Sequence, residues 1–235
     1  FFSLNGHVFI LLIACGRVAR RHVGHNILMG EGRSILGPLL RWDNRVSASL
    51  YHWYQRTIGW RGPVMLLEYS GHGVPWLMVS SGFFLFTNKF APSVYETLAN
   101  LFLGLLTDLA WVVIFKSGIR RSRPVYNKGK QLGSVHVVDQ FSFPSGHTTR
   151  SVFIAAFAYH CHASNGVIPS NIVLGFTIWA ILLGLSRIVL GRHFVGDVVA
   201  GWMVGLLNMY CVACVWISKD MAMEAKAFWD LHNPS

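Results

Sequence analysis

The sequence predicts an all-α fold: a polytopic transmembrane bundle of about five spans, preceded by a helix lying on the membrane surface. Three observations carry this. Of 235 residues, 53% are hydrophobic and 13% charged, against about 25% charged in an ordinary soluble domain. Apolar stretches of roughly 20 residues, the length needed to cross a hydrocarbon core about 30 Å thick, recur along the chain. The charges gather at the junctions between those stretches. The formal net charge of +10 reflects ten acids as much as twenty bases, and bases at such junctions meet phosphate headgroups or a phosphorylated substrate. A nucleic-acid partner is therefore not expected.

The chain opens on Phe1 without an initiator methionine, as a truncation or a gene-model artefact would. Its apolar run Val8 to Cys15 lacks a charged n-region and an A-x-A site, so it is not read as a signal peptide. Gly30 to Trp42 reads as a loop. Val46 to Tyr54 mixes aromatic and polar residues between Arg41, Arg45 and Arg56, the pattern of an interfacial helix. Val64 to Phe86 is the weakest span, interrupted by Glu68, Gly71, His72 and Gly73 in its first half. Thr97 to Phe115 follows, with Asp108 inside. Val125 to Phe143 reads as a second loop. Thr148 to His162 is a shorter span that carries Arg150, His160 and His162, and Ile172 to Leu190 holds Ser186 and Arg187 near its end. Val198 to Ile217 is the cleanest span, with Asn208 inside and a Gly201-x-x-x-Gly205 step suited to close helix packing. The expected organisation is an N-terminal region 1–63, a membrane-embedded domain 64–217 and a tail 218–235.

Helices joined by short loops alternate direction across the bilayer. The end of the Thr97 helix, the start of the Thr148 helix and the turn between the last two spans then share one face. Three polar clusters stand there: K-x6-R-P at Lys116, Arg123 and Pro124; P-S-G-H from Pro144 to His147; and S-R-x5-H-x3-D at Ser186, Arg187, His193 and Asp197. Taken singly, the first is a headgroup anchor, the second a helix cap and the third a structural His–Asp pair at i, i+4. Free N–H groups at a helix start also bind phosphate.

Together, in this order and at membrane junctions, the clusters resemble the type 2 phosphatidic acid phosphatase superfamily. The likeness spans roughly residues 60 to 217. Leu67 to Trp76 and Leu183 to His193 look closest to the animal polyisoprenoid (presqualene) diphosphate phosphatases. The resemblance implies a membrane phosphohydrolase, independent of metal and cofactor, that removes phosphate from polyisoprenoid diphosphates or monophosphates and related lipid phosphates. It assigns the nucleophile to His193, giving a phosphohistidine intermediate, and leaving-group protonation to His147. Asp197 would accept a hydrogen bond from the other ring nitrogen of His193. Lys116, Arg123, Arg187, Ser145 and the Gly146 N–H would bind the phosphate oxygens. A broad-range phosphatidate or sphingoid-phosphate phosphatase and a catalytically silent membrane scaffold are the alternatives; a haloperoxidase reading fails because those relatives are soluble.

The remaining polar residues receive plainer readings. Arg120, Arg121 and Arg192 face solvent or headgroups. Asp108 pairs with a nearby base or makes a polar interhelical contact. Glu68 and His72 line the substrate mouth or lie at the interface. His160 and His162 lack metal-site partners, and Cys15, Cys161, Cys211 and Cys214 read as buried free thiols. Eight arginines between Arg17 and Arg61 stand against only Glu31 and Asp43. The positive-inside rule then places the N-terminal region and the site on the cytosolic face, in the endoplasmic reticulum or nuclear envelope. The partners expected are the lipid phosphate and the bilayer.

Overall fold

The computed structural model describes residues 36–87, 90–126 and 140–233, and there the fold is helical apart from one isolated bridge between Ser122 and Phe141. The helices are α1 (Leu36–Thr57), α2 (Arg61–Ser70), α3 (Gly73–Phe86), α4 (Pro92–Ile119), α5 (Gly146–Asn165), α6 (Ser170–Val189), α7 (Val195–Cys214) and α8 (Lys219–His232). The apolar run Val8 to Cys15 lies outside the described residues.

Three helices, α4, α6 and α7, are long and apolar enough to cross a membrane. α5 matches α6 and α7 in length but is more polar, because it sits at the centre, packed on α4, α6 and α7. A helix enclosed by others can carry Thr148, Thr149, Arg150 and Ser151 on buried positions, where polar groups meet protein instead of lipid. Leu105, Phe153, Ile154, Phe157, Cys161, Met209 and Val212 join α4, α5 and α7 into one apolar core. The Gly201–Gly205 step of α7 makes a close helix contact, and the helix it meets is α5. A Cβ on Gly205 would lie 2.5 Å from the Thr149 carbonyl oxygen, and one on Gly201 would lie 2.9 Å from Thr148 Cβ. The two glycines thus let the backbones of α5 and α7 approach closely.

The structure corrects the single span expected over Val64 to Phe86. It is broken at Gly71–His72 into α2 and α3, and α3, with 14 residues, is about 21 Å long at 1.5 Å per residue. The cause is Pro75, which has no N–H to donate to the carbonyl four residues back. That carbonyl, Gly71 O, instead accepts from Arg150 Nη1 at 2.9 Å. The preceding one, Ser70 O, accepts from the Trp76 indole at 2.8 Å. Gly71 packs so tightly that an added Cβ would lie 2.6 Å from Leu183 and 3.0 Å from His147 Cδ2. The break therefore brings the α2–α3 corner against His147.

Two further segments differ from expectation. Helix α1 begins at Leu36, inside the stretch expected as loop, since Pro38 falls in the first turn, where a missing N–H costs nothing. It runs on through Val46 to Tyr54, with Leu39, Trp42, Leu50 and Trp53 exposed while Asp43, Ser47 and Tyr54 are buried. The segment after Ile217 is a helix rather than a tail. α8 is capped by the Ser218 hydroxyl, which accepts from Met221 N–H at 3.4 Å, and it packs on α4 and α3.

Candidate active site

At the end of α4, Lys116 is buried. The helix stops at Arg120, which takes a left-handed conformation (φ 49°) and donates its N–H to Lys116 O at 3.1 Å. Beyond this turn Arg123 Nη1 donates to Arg192 O at 3.2 Å, joining the first cluster to the third. Ser145 begins α5 and is fully buried. Its N–H donates to Asp197 O at 3.1 Å, joining the second cluster to the third, and its hydroxyl accepts from Thr148 Oγ1 at 2.9 Å. Gly146 opens the helix next to Val112. The three clusters thus meet at one end of the bundle, as alternation of the helices requires. Ile119, Phe143 and Ala200 form a small apolar floor beside them.

His193 is 2% exposed. Its Nδ1 lies 2.7 Å from Ser142 O. A carbonyl only accepts, so Nδ1 carries the proton and Nε2 holds the lone pair. Burial first, then the positive charges of Arg123, Arg187 and Lys116, hold the His193 pKa well below the ordinary histidine value. The ring is therefore neutral at neutral pH.

The geometry corrects the role expected of Asp197. Its Oδ2 stands 3.6 Å from His193 Nδ1, too far for a hydrogen bond, and instead accepts from Phe194 N–H at 3.0 Å. Its Oδ1 accepts from Arg121 Nη1 at 2.7 Å. Ser142, which sequence reasoning missed, supplies the acceptor that fixes the tautomer.

His147, in the first turn of α5, has a buried Nε2 with no hydrogen-bond partner among the described residues. The ring lies within the electrostatic reach of Arg187, Arg150, His193 and His72. The centroid of the His72 ring is 6.3 Å away in an edge-on arrangement. Arg187 is fully buried, and its Nη1 stands 3.0 Å from Glu68 Oε1. Arg192 Nε approaches the same oxygen at 3.7 Å. Glu68 thus belongs to the site, at the phosphate-binding candidate Arg187.

The plain readings of two arginines are corrected. The Arg192 side chain is 11% exposed and turned toward Glu68, where buried charges need counter-ions. The Arg121 side chain is 14% exposed, clamped between Asp43 and Asp197 at 2.7 Å each. Asp43 carried no sequence signal. Asp108 pairs with a base, Arg150, at 3.1 Å. The His160 ring lies tilted against Trp216, centroids 4.8 Å apart, and His162 Nδ1 lies 2.9 Å from Ile168 O, both toward the helix end as expected.

Comparison with known proteins gives the same picture. Residues 97–220 match the PAP2 superfamily. The chain is 33% identical over 194 residues to the "probable lipid phosphate phosphatase beta" of Arabidopsis thaliana, covering 74% of this chain and 88% of that protein. It is 33% identical over 110 residues to phosphatidylglycerophosphatase B of Bacillus subtilis, covering 45% of this chain and 51% of that one. A lipid A 1-phosphatase of Rhizobium etli is 34% identical over 111 residues, 45% of this chain and 42% of that protein. Among solved structures, a transmembrane PAP2-type phosphatidylglycerolphosphate phosphatase from Bacillus subtilis superposes with a TM-score of 0.58 at 21% identity, covering 89% of this chain and 94% of that one; this likeness shows the fold. The family match extends over more than half the chain and contains all three clusters. On that match and the Arabidopsis alignment, the chain belongs to the PAP2 superfamily.

Proposed function

We propose that this chain is a membrane phosphohydrolase that removes phosphate from lipid phosphates, with polyisoprenoid diphosphates or monophosphates as its preferred substrates. The observation that carries the reading is the state of His193: buried, neutral, and held by Ser142 with the Nε2 lone pair free to attack. A neutral imidazole nitrogen among fixed cations suits attack on a phosphoryl group.

In the proposed sequence, Nε2 of His193 donates its lone pair to phosphorus and the bond from phosphorus to the leaving oxygen breaks. His147, protonated on Nε2 once the phosphate anion offsets the surrounding cations, gives that oxygen its proton. The proton of His193 stays on Nδ1, hydrogen-bonded to Ser142 O, and helps spread the charge of the phosphorylated ring. His147, now neutral, takes a proton from water as water attacks phosphorus and the P–N bond breaks, which returns both histidines to their starting states. Lys116, Arg123 and Arg187 neutralise the non-bridging oxygens, aided by Ser145 and the Gly146 N–H at the start of α5. Glu68 gives up Arg187 to the entering phosphate. Three cations around the phosphate supply the charge that a metal supplies elsewhere, which supports a metal-independent reaction.

The names of the relatives, a lipid phosphate phosphatase, a phosphatidylglycerophosphatase and a lipid A 1-phosphatase, favour a second reading of broader scope, with glycerolipid and other monoesters as substrates. Purified protein offered matched isoprenoid diphosphate, isoprenoid monophosphate and phosphatidate, each with and without chelator, separates the two. The first reading expects phosphate release in every chelator condition, fastest from an isoprenoid substrate. Faster release from phosphatidate favours the second, and loss on chelation removes the metal-free mechanism.

With α4, α5, α6 and α7 crossing the bilayer and the α2–α3 pair completing a fifth, broken span, the N-terminal region and the site share one face. The arginine-rich N-terminal segment supports a cytosolic face. An endoplasmic reticulum or nuclear-envelope membrane is the proposed location.

A further inference from the structure

Helix α1 lies outside the residues matched to the family, yet it reaches the centre of the site. Asp43 is 5% exposed. Its Oδ1 accepts from Gly196 N–H at 2.9 Å and from the Ser47 hydroxyl at 3.4 Å, and its Oδ2 accepts from Arg121 Nη2 at 2.7 Å. Ser47 Oγ in turn accepts from Val195 N–H at 2.9 Å. The first N–H groups of a helix have no partner within it, and at α7 the residue at the cap position is Phe194, which has no side-chain acceptor. Asp43 and Ser47 of α1 supply the acceptors, immediately after His193. The fit is close: a Cβ on Gly196 would lie 2.8 Å from Asp43 Oδ2.

Arg121 connects this cap to the reacting ring. Its guanidinium bridges Asp43 and Asp197 and lies 3.9 Å above the centroid of the Phe194 ring. Its carbonyl accepts from Ser142 N–H at 2.8 Å and Ser142 Oγ at 3.3 Å. Ser142 O is the acceptor of His193 Nδ1–H. One residue thus fixes both ends of the His193 turn, through its side chain at α7 and through its backbone at Ser142. Two carboxylates also hold Arg121, five residues beyond Lys116, away from the phosphate that Lys116 and Arg123 address.

We propose that Asp43, acting through Arg121, is a positioning residue for the His193 nucleophile, so that α1 is a working part of the site rather than only a membrane anchor. This rests on the reading of His193 given above. Neither residue touches substrate. Each sets where the Nε2 lone pair points, and a misplaced reacting atom costs turnover more than binding.

The test uses the full chain in lipid nanodiscs, with Asp43→Asn, Arg121→Gln, Arg121→Lys and the Asp43→Asn/Arg121→Gln double variant. Steady-state hydrolysis of a lipid phosphate and amide hydrogen exchange of the 190–198 segment are both read. Asp43→Asn should lower kcat by about 10- to 100-fold, the usual effect of removing a group that orients a reacting side chain, with KM within about twofold. Exchange should quicken by about tenfold at Gly196, whose acceptor Asp43 weakens, and at Val195, whose acceptor Ser47 is held by Asp43. The double variant should be no slower than Arg121→Gln alone, because the two residues act as one unit. Arg121→Lys cannot fork to two carboxylates and should show the same fall in kcat, which provides the reading should Asp43→Asn fail to accumulate. A wild-type kcat in any of the three single variants, a loss confined to KM, or additive losses in the double variant would overturn the proposal. A wild-type protein that releases no phosphate from any lipid would sink the reading of the site instead. Exchange would still decide the link, and unchanged exchange in Asp43→Asn would refute it.

Discussion

His193 shows how much one side chain's surroundings decide. The ring pKa is depressed by burial and by Arg123, Arg187 and Lys116, so the unfolded chain binds a proton there more readily than the folded one. Between the ordinary value of 6.5 and the lower folded value, the unfolded state therefore carries more protons, and stability falls as pH drops through that window. The apparent Tm in detergent should decline below pH 6.5, and His193→Gln should flatten that decline; an equal slope in the variant would show that other groups cause it. Asp108 makes a different residue-scale case. It is fully buried against Arg150, and Asp108→Ala leaves that cation without its carboxylate, at a cost of about 3–5 kcal/mol. Thermal unfolding measures the loss, and Asp108→Ala paired with Arg150→Met should recover part of it. That Asp108 would pair with a base was readable from its place in an apolar run. Which base was not, because Arg150 lies on another helix.

Elements set the separation of the two candidate histidines. His147 starts α5 and His193 precedes α7, so the α5–α7 contact sets their separation. Gly201 and Gly205 make that contact close. Gly205→Ala puts a methyl against the Thr149 carbonyl and should cost about 1–3 kcal/mol by overpacking. The same shift should lower kcat, since it carries His193 away from His147. A Gly205→Ala protein with unaltered stability and turnover would mean the two helices slide freely. The Gly-x-x-x-Gly step was legible in the sequence, as were the α4, α6 and α7 positions, because apolar runs of membrane length carry their own signal; α5 showed only as a shorter, interrupted run. The α2–α3 break was only half legible. Gly71, Gly73 and Pro75 all stood in view, but the compensation that makes a break tolerable, Arg150 on the freed Gly71 carbonyl, comes from a helix 79 residues away. Helix α1 was read short for a related reason, since glycines and Pro38 near its start suggest a loop until Asp43 and Ser47 are seen to tie it down.

At the scale of the whole molecule, the meeting of the three clusters followed from helix alternation alone, and the structure brings them together through Ser145–Asp197, Arg123–Arg192 and Ser142–His193 contacts. The Asp43–Arg121–Asp197 link did not follow. It joins residues 78 and 76 positions apart, and an aspartate on a polar-aromatic helix or an arginine in a basic run looks like a solvated group until the chain is folded. The membrane orientation is a prediction of the same scale. Eight arginines before the first span favour the cytosol, so tags at the two ends should show a cytosolic N-terminal region and a lumenal C-terminus by protease protection after selective permeabilisation. The reverse pattern would turn the molecule over and leave the chemistry intact.

Attack of His193 on phosphorus is the step on which the proposed chemistry depends. Rapid acid-free quench of the purified chain during turnover of a lipid diphosphate labelled on its terminal phosphorus, followed by peptide mapping, tests it most directly. An acid-labile, alkali-stable label is expected on the peptide containing His193, formed equally with and without chelator and lost in His193→Ala. Label on any other side chain, or label that survives His193→Ala, would contradict it.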